Sequence, residues 1–113
     1  MSKISPSLLS LIGDTPLVEI KNIDTGLCKL FLKLESQNPG GSIKDRPAKF
    51  MIDAAENAGK ISKGSLIVEA TAGNTGIGLA LISILRGYKC LIVVPDKMAK
   101  EKVIHLELSL IHI

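Results

Sequence analysis

Apolar residues fall along the chain in short blocks of two kinds. "LFLKLE" (30–35) mixes alternation with apolar character and predicts a strand, whereas "LIVEAT" (66–71) and "CLIVVP" (90–95) are nearly unbroken apolar runs. Such runs suit strands covered on both faces, as in a parallel sheet. Between the first and second blocks, Ala48, Met51, Ile52 and Ala55 recur at the spacing of one helix face, and Gly59 is placed to stop that helix. Pro47 belongs in its first turn, where the missing N–H costs little. A second helix is expected from Thr75 to Arg86, with Ile77, Ala80, Leu81 and Ile84 on one side. Leu79, Ile82 and Leu85 make it apolar almost all round, so it should be buried; Gly87 ends it, with Arg86 well placed against the helix dipole.

Residues 66–95 therefore read as strand, helix, strand with short joints, a βαβ unit with a right-handed crossover. The fold class is α/β. In open α/β sheets ligands collect at the carboxyl ends of the strands, and here that end carries "ATAGNTGIG".

Composition narrows the possibilities. With 113 residues, 46% of them apolar, there is a core for one modest domain. The net charge of +3 is small and the basic residues are scattered, which argues against nucleic acid or a membrane surface and leaves small anions open. No apolar run reaches the roughly 18 residues of a membrane helix, and "MSKISPSLLSLIGDTP" lacks the apolar centre and cleavage site of a leader, so a cytoplasmic protein is expected. Cys28 and Cys90 lack metal-ligand spacing and read as buried free thiols; His105 and His112 are isolated.

Two glycine-rich stretches carry the candidate chemistry. In "TAGNTGIG" (71–78), Gly73, Gly76 and Gly78 bracket Asn74 and Thr75 where strand passes to helix, which directs unpaired backbone N–H groups at the open edge of the sheet. A plain alternative is that Asn74 or Thr75 only caps the helix and the glycines only permit close packing. Walker A fails, because Leu79 and Ala80 follow where Lys and Ser or Thr are required. The glycine order G-x-x-G-x-G is not the dinucleotide fingerprint either, and Asp96 alone favours that reading, so a small βαβ nucleotide- or anion-binding module stays as the second possibility.

The other stretch, "ESQNPGGSIKDRPAKF" (35–50), sets Lys44 at the start of a helix, where the dipole disfavours a cation. The same proximity helps to keep an amine neutral and nucleophilic. Asp45 reads as a capping group and Arg46 as a surface or salt-bridged charge.

Taken together, "IGDTPLV" (12–18), "KLESQNPGGSIKDR" (33–46), "EATAGNTGIGLA" (69–80) and "RGYKCLIVVPDKMAKEKV" (86–103) resemble the cysteine synthase and cystathionine β-synthase family of pyridoxal-phosphate enzymes. The resemblance implies a parallel-sheet fold of type II, like the tryptophan synthase β-chain. It also implies pyridoxal 5'-phosphate as cofactor, Lys44 as the residue that forms the Schiff base, and Asn74 as the partner of the cofactor's ring hydroxyl. Thr71, Ala72, Gly73, Asn74 and Thr75 then form the loop that grips the substrate's α-carboxylate. Ala72 departs from the serine of many members and loses a side-chain hydroxyl contact. The implied reaction is β-replacement: serine or an O-acylated serine loses its β-substituent with Lys44 as general base, and a thiol or sulfide takes its place. The wording of 86–103 lies nearer the cystathionine β-synthase side, where homocysteine is the thiol. A homodimer is implied for the whole enzyme.

Family members are much longer, and the glycine-rich phosphate loop and the partner of the pyridine nitrogen have no counterpart in these 113 residues. Residues 1–107 are accordingly expected to be the amino-terminal part of the enzyme domain. "LSLIHI" (108–113) departs from the family pattern and is what a transposon-end sequencing adapter encodes, so it is expected to be a non-native tail. As a free polypeptide, the chain would expose apolar surface and a bare sheet edge, and poor folding without tight cofactor binding is expected.

Overall fold

The computed structural model describes residues 7–95, 100, 103 and 104, and residues 7–95 hold four strands, two helices and two short 3-10 turns. Strands β1 (Leu17–Ile20) and β2 (Leu30–Lys33) form an antiparallel pair in the register Leu17 to Lys33 through Ile20 to Leu30. Helix α1 (Asp45–Asn57) follows, then strand β3 (Leu66–Ala70), helix α2 (Asn74–Arg86) and strand β4 (Lys89–Val93). Strands β3 and β4 pair in parallel, from Leu66 opposite Lys89 to Ala70 opposite Val93. The expected βαβ unit is present, and the two sheets are separate.

Both helices follow their apolar periods. Ala48 and Ile52 of α1 meet Leu79 and Ile82 of α2, and Leu9, Ile12, Ile61, Ile67 and Tyr88 pack around this cluster. Met51, assigned from its spacing to the buried face of α1, is 47% exposed. On α2 Ala80 of the expected face is buried, but the buried set continues through Leu79, Ile82 and Ser83 rather than through Ile77, Leu81 and Ile84, and Ile84 and Leu85 are exposed. A helix apolar all round does not announce which face the sheet and α1 will take. Gly87 adopts φ +76° and closes α2, donating its N–H to the carbonyl of Ile84. Arg86 is the basic residue of the last turn, as expected, and it also pairs with Asp53 and with Glu56 (2.6 Å) of α1, while Tyr88 donates its hydroxyl to Glu56 (2.5 Å). These bonds clamp the carboxyl-terminal ends of the two helices.

Several expectations need correction. The strand predicted over 30–35 ends at Lys33, because Leu34 turns and Glu35 enters a 3-10 turn whose side chain is taken by Arg46. This strand pairs with β1. The apolar runs of β3 and β4 are covered on one face only: Ile67 and Ile92 lie inward, while Leu66, Val68, Leu91 and Val93 are 39–56% exposed. Cys28 is exposed, because it lies in the connection ahead of β2, outside any packed face. Cys90 is half-buried, and burial pushes its thiol up, with the Ser83 hydroxyl opposing the shift. Asp96, His105, His112 and the expected non-native tail at 108–113 lie outside the described residues.

Candidate functional site

Two loops lead into the amino-terminal ends of the two helices, and the packing of α1 on α2 brings them together. The first loop, Asn38 to Lys44, uses its two glycines for different reasons. Gly41 sits at φ +82°, in the left-handed region, and donates its N–H to the carbonyl of Asn38 (2.7 Å). Gly40 is there for space: a Cβ at that position would stand 2.3 Å from Oδ1 of Asp45. Asp45 is wholly buried and accepts a hydrogen bond from the Gly40 N–H through Oδ2, so it caps the loop rather than the helix. Its Oδ1 has no hydrogen-bond partner, and burial raises its pKa despite the Gly40 bond.

Arg46 ties this loop to the start of the chain. Its Nε and Nη2 meet the two carboxylate oxygens of Glu35 at 2.8 and 2.9 Å. Nη2 also reaches the carbonyl of Gly13 (2.8 Å) and Oγ1 of Thr15 (3.2 Å). Thr15 donates to Glu35 (2.7 Å), and Asn38 donates to Glu35 (2.9 Å) while accepting from the Gly13 N–H (2.8 Å). The bonds from Arg46, Thr15 and Asn38 together hold the Glu35 carboxyl at about 2. The salt-bridged reading of Arg46 is therefore observed; its partner and the other members were not predicted. The signal available was weak: four hydrogen-bonding residues, Thr15 in 12–18 and Glu35, Asn38 and Arg46 in 35–50, with no local spacing to pair them.

Lys44 is the cap residue immediately before α1, its N–H donating to Ser42 Oγ (3.1 Å). The residue is exposed, and its amine makes no hydrogen bond or ion pair among the described residues. Its backbone, by contrast, is pressed against α2. A Cβ at Gly78 would lie 3.0 Å from the Lys44 carbonyl oxygen and 3.2 Å from the Ala48 Cβ. Asn74 stands four residues before Gly78, so it lies on the same face of α2, about 6 Å along the axis.

The second loop leaves β3 at Thr71, whose N–H bonds the Val93 carbonyl of β4 (3.0 Å) and whose Oγ1 accepts from the Gly73 N–H (3.3 Å). Gly73 is the cap residue of α2, and no side chain caps this end. Neither Asn74 nor Thr75 plays the capping role that the plain alternative required. No acidic residue occupies the first turn, so the positive end of the dipole is uncompensated. Beside it, Ala70, Thr71, Ala72, Val93, Val94 and Pro95 line an open cleft of about 440 Å³ at the carboxyl ends of β3 and β4. Lys44 and Asn74 do not line this cleft. Among the described residues no cluster of side chains could hold a metal ion, and no helix is long and apolar enough to cross a membrane.

Comparison with known proteins settles the family. Residues 8–109 match the profile described as "Pyridoxal-phosphate dependent enzyme". The chain belongs to the pyridoxal-phosphate-dependent enzyme family. It is 50% identical over 105 residues to a cystathionine beta-synthase of Apis mellifera, covering 90% of this chain and 21% of the relative. Similarity to a probable cysteine synthase of Bacillus subtilis is nearly equal, 49% over 104 residues, covering 91% of this chain and 33% of that protein. Among solved structures, a hydrogen sulfide-producing enzyme of Fusobacterium nucleatum superposes with a TM-score of 0.90 at 48% identity, over 96% of this chain and 36% of its own. An O-ureido-L-serine synthase gives the same score at 36% identity, over 96% of this chain and 34% of its own. The chain thus spans about a fifth to a third of the length of the curated relatives it matches. The expected type II fold of this family is the one observed.

Proposed function

We propose that this chain supplies the cofactor lysine and the substrate-carboxylate loop of an enzyme that performs β-replacement on serine or an O-acylated serine. The observation that carries the proposal is the open start of α2, with the Lys44 backbone docked one turn away on the same helix. The donor set fits the cofactor. The amine at Lys44 has no partner among the described residues, and the cradle at Gly78, which a Cβ would fill, seats the Lys44 backbone on the helix that begins at Asn74.

When bound, the pyridoxal phosphate supplies the electron sink that acidifies the substrate's α-carbon. Lys44 would hold it covalently and, once displaced by the substrate's amine, take up the α-proton on Nζ. Asn74, exposed at the first position of α2, would hydrogen-bond the ring hydroxyl. In the stretch Thr71, Ala72, Gly73, Asn74 and Thr75, the N–H groups of Ala72, Asn74 and Thr75 would bind the substrate carboxylate, as suits an uncapped helix end, while those of Thr71 and Gly73 are held by the Val93 carbonyl and by Thr71 Oγ1. Ala72 offers only its backbone.

In this reading the incoming group is a thiol or sulfide; relatives named for cysteine synthesis and for cystathionine synthesis match almost equally. A cytoplasmic homodimer is part of the same proposal, and light scattering on purified protein tests it.

The test uses the full-length protein loaded with pyridoxal phosphate and reduced with borohydride. Peptide mass analysis should find the cofactor on Lys44, and Lys44→Ala should lower turnover by about 10³-fold or more. Assays with O-acylated serine plus sulfide, and with serine plus homocysteine, then assign the acceptor. Attachment at another lysine, or full turnover in Lys44→Ala, would refute the proposal.

A further inference from the structure

We propose that Arg46 and Glu35, joined by Thr15 and Asn38, act as a clasp that positions Lys44; the inference rests on the reading of Lys44 as the cofactor lysine. Two separate segments of chain converge on one guanidinium. Arg46 binds both oxygens of Glu35 from the 3-10 turn after β2, and the Gly13 carbonyl and Thr15 hydroxyl from the turn before β1. Asn38 closes the circuit by bonding Gly13 on one side and Glu35 on the other.

Lys44 needs such a device because its own side chain has no partner among the described residues. The direction of its amine depends on the turn that carries it. That turn is pinched from two sides. On one side α2 touches the Lys44 carbonyl at Gly78. On the other, Arg46, two residues along, anchors the first turn of α1 to the chain's first strand pair. Were the clasp open, the Gly78 contact and the short-range bonds of Ser42 and Asp45 would remain, but none of them ties the turn to the segments that flank the first strand pair. A displacement of about an ångström at a reacting group costs rate steeply.

The clasp has the chemistry of a positioner. Arg46 meets Glu35 through two parallel N–H bonds, a geometry that lysine cannot reproduce. The side chains of Arg46 and Glu35 remain 33% and 19% exposed, and neither belongs to the apolar cluster between the helices. Its consequence should therefore be read at Lys44 more than in the folding of the core.

The experiment uses the full-length protein, stripped of pyridoxal phosphate and reloaded. Arg46→Lys, Glu35→Gln and their double variant are compared by the rate at which Lys44 captures the cofactor, read as borohydride-trapped peptide, and by kcat and KM. Each single variant should slow capture and lower kcat by about tenfold, with KM changed less than about twofold and the double variant no worse than either single. KM is expected to hold because the carboxylate loop at α2 lies outside the clasp. Capture and kcat unchanged well below the melting temperature, or additive losses in the double variant, would overturn the positioning role. If Arg46→Lys fails to fold, Thr15→Val, which removes one donor to Glu35 and one acceptor of Arg46, carries the same prediction and the same refutation. A Lys44→Ala protein that still traps cofactor at this segment overturns the reading of Lys44 itself, so the two failures are distinct.

Discussion

Helices α1 and α2 both begin where a glycine-rich loop ends, yet the two beginnings are built in opposite ways. The start of α1 is closed by its own chain: Asp45 is buried on Gly40, Arg46 is bonded to Glu35, Gly13 and Thr15, and Ser42 takes the Lys44 N–H. The start of α2 has a glycine as its cap, no capping side chain and no carboxylate in its first turn. A helix end left without internal partners is open to an anion, whereas one saturated with side-chain bonds holds a neighbouring residue still. In the proposed reading, that difference separates a binding end from a presenting end.

The same substitution at the two ends should expose the contrast most sharply. Gly40→Ala drives a Cβ to 2.3 Å from a buried carboxylate oxygen, and a loss of about 2–3 kcal/mol is expected in chemical denaturation. Gly73 has extended backbone angles and open space where a Cβ would go. Gly73→Ala should cost under about 1 kcal/mol, the scale of a cap preference. Equal losses at both positions would erase the distinction.

Gly78→Ala attacks the contact that joins the two ends. An alanine inside a helix ordinarily gains up to about 1 kcal/mol over glycine. Here its Cβ meets the Lys44 backbone at 3.0 Å, which cannot rotate away as a side chain would, so a net loss of about 1–2 kcal/mol is expected. A variant more stable than the parent would show that the helices separate easily.

Within the closed end, acid should reveal two carboxyl groups with opposite behaviour. Glu35 is held at about 2, below its ordinary 4.5, so it contributes stability that is present above pH 4.5 and lost as pH falls through that interval. Asp45 is raised by burial, so its charged form carries a penalty at neutral pH that acid relieves. Melting temperature measured against pH should therefore fall less steeply on the acid side in Glu35→Gln and more steeply in Asp45→Asn. Parallel curves for both variants would contradict the assignment.

The smallest effect is expected at Asn74. Because its side chain caps nothing, Asn74→Ala should move stability by less than about 0.5 kcal/mol while weakening retention of pyridoxal phosphate in the full-length protein. A large drop in stability would mean that α2 depends on this side chain and that its start is not open.

Much of this was readable in advance. The period of Ala48 and Ile52 marked the buried face of α1, the unbroken runs marked β3 and β4, and Gly87 marked the end of α2. The four-residue strand β1 escaped because "LVEI" is too short to show a period, and it forms by pairing with β2. Nor did the apolar runs show that Val68 and Val93 would be exposed, since a run records what a strand can bury rather than what covers it.

Local pattern by itself determined the element types, the two loops and the family, because helix and strand periods, glycines and motif spacing are properties of neighbouring residues. Only the tertiary structure decided that Arg46 closes on Glu35, Gly13 and Thr15, that Asp45 is buried on Gly40, and that the Lys44 backbone rests on Gly78. Apart from the Asp45 bond, these contacts join residues separated by loops and whole elements. Their partners are chosen by how the helices and the first strand pair pack, and no local spacing encodes that choice.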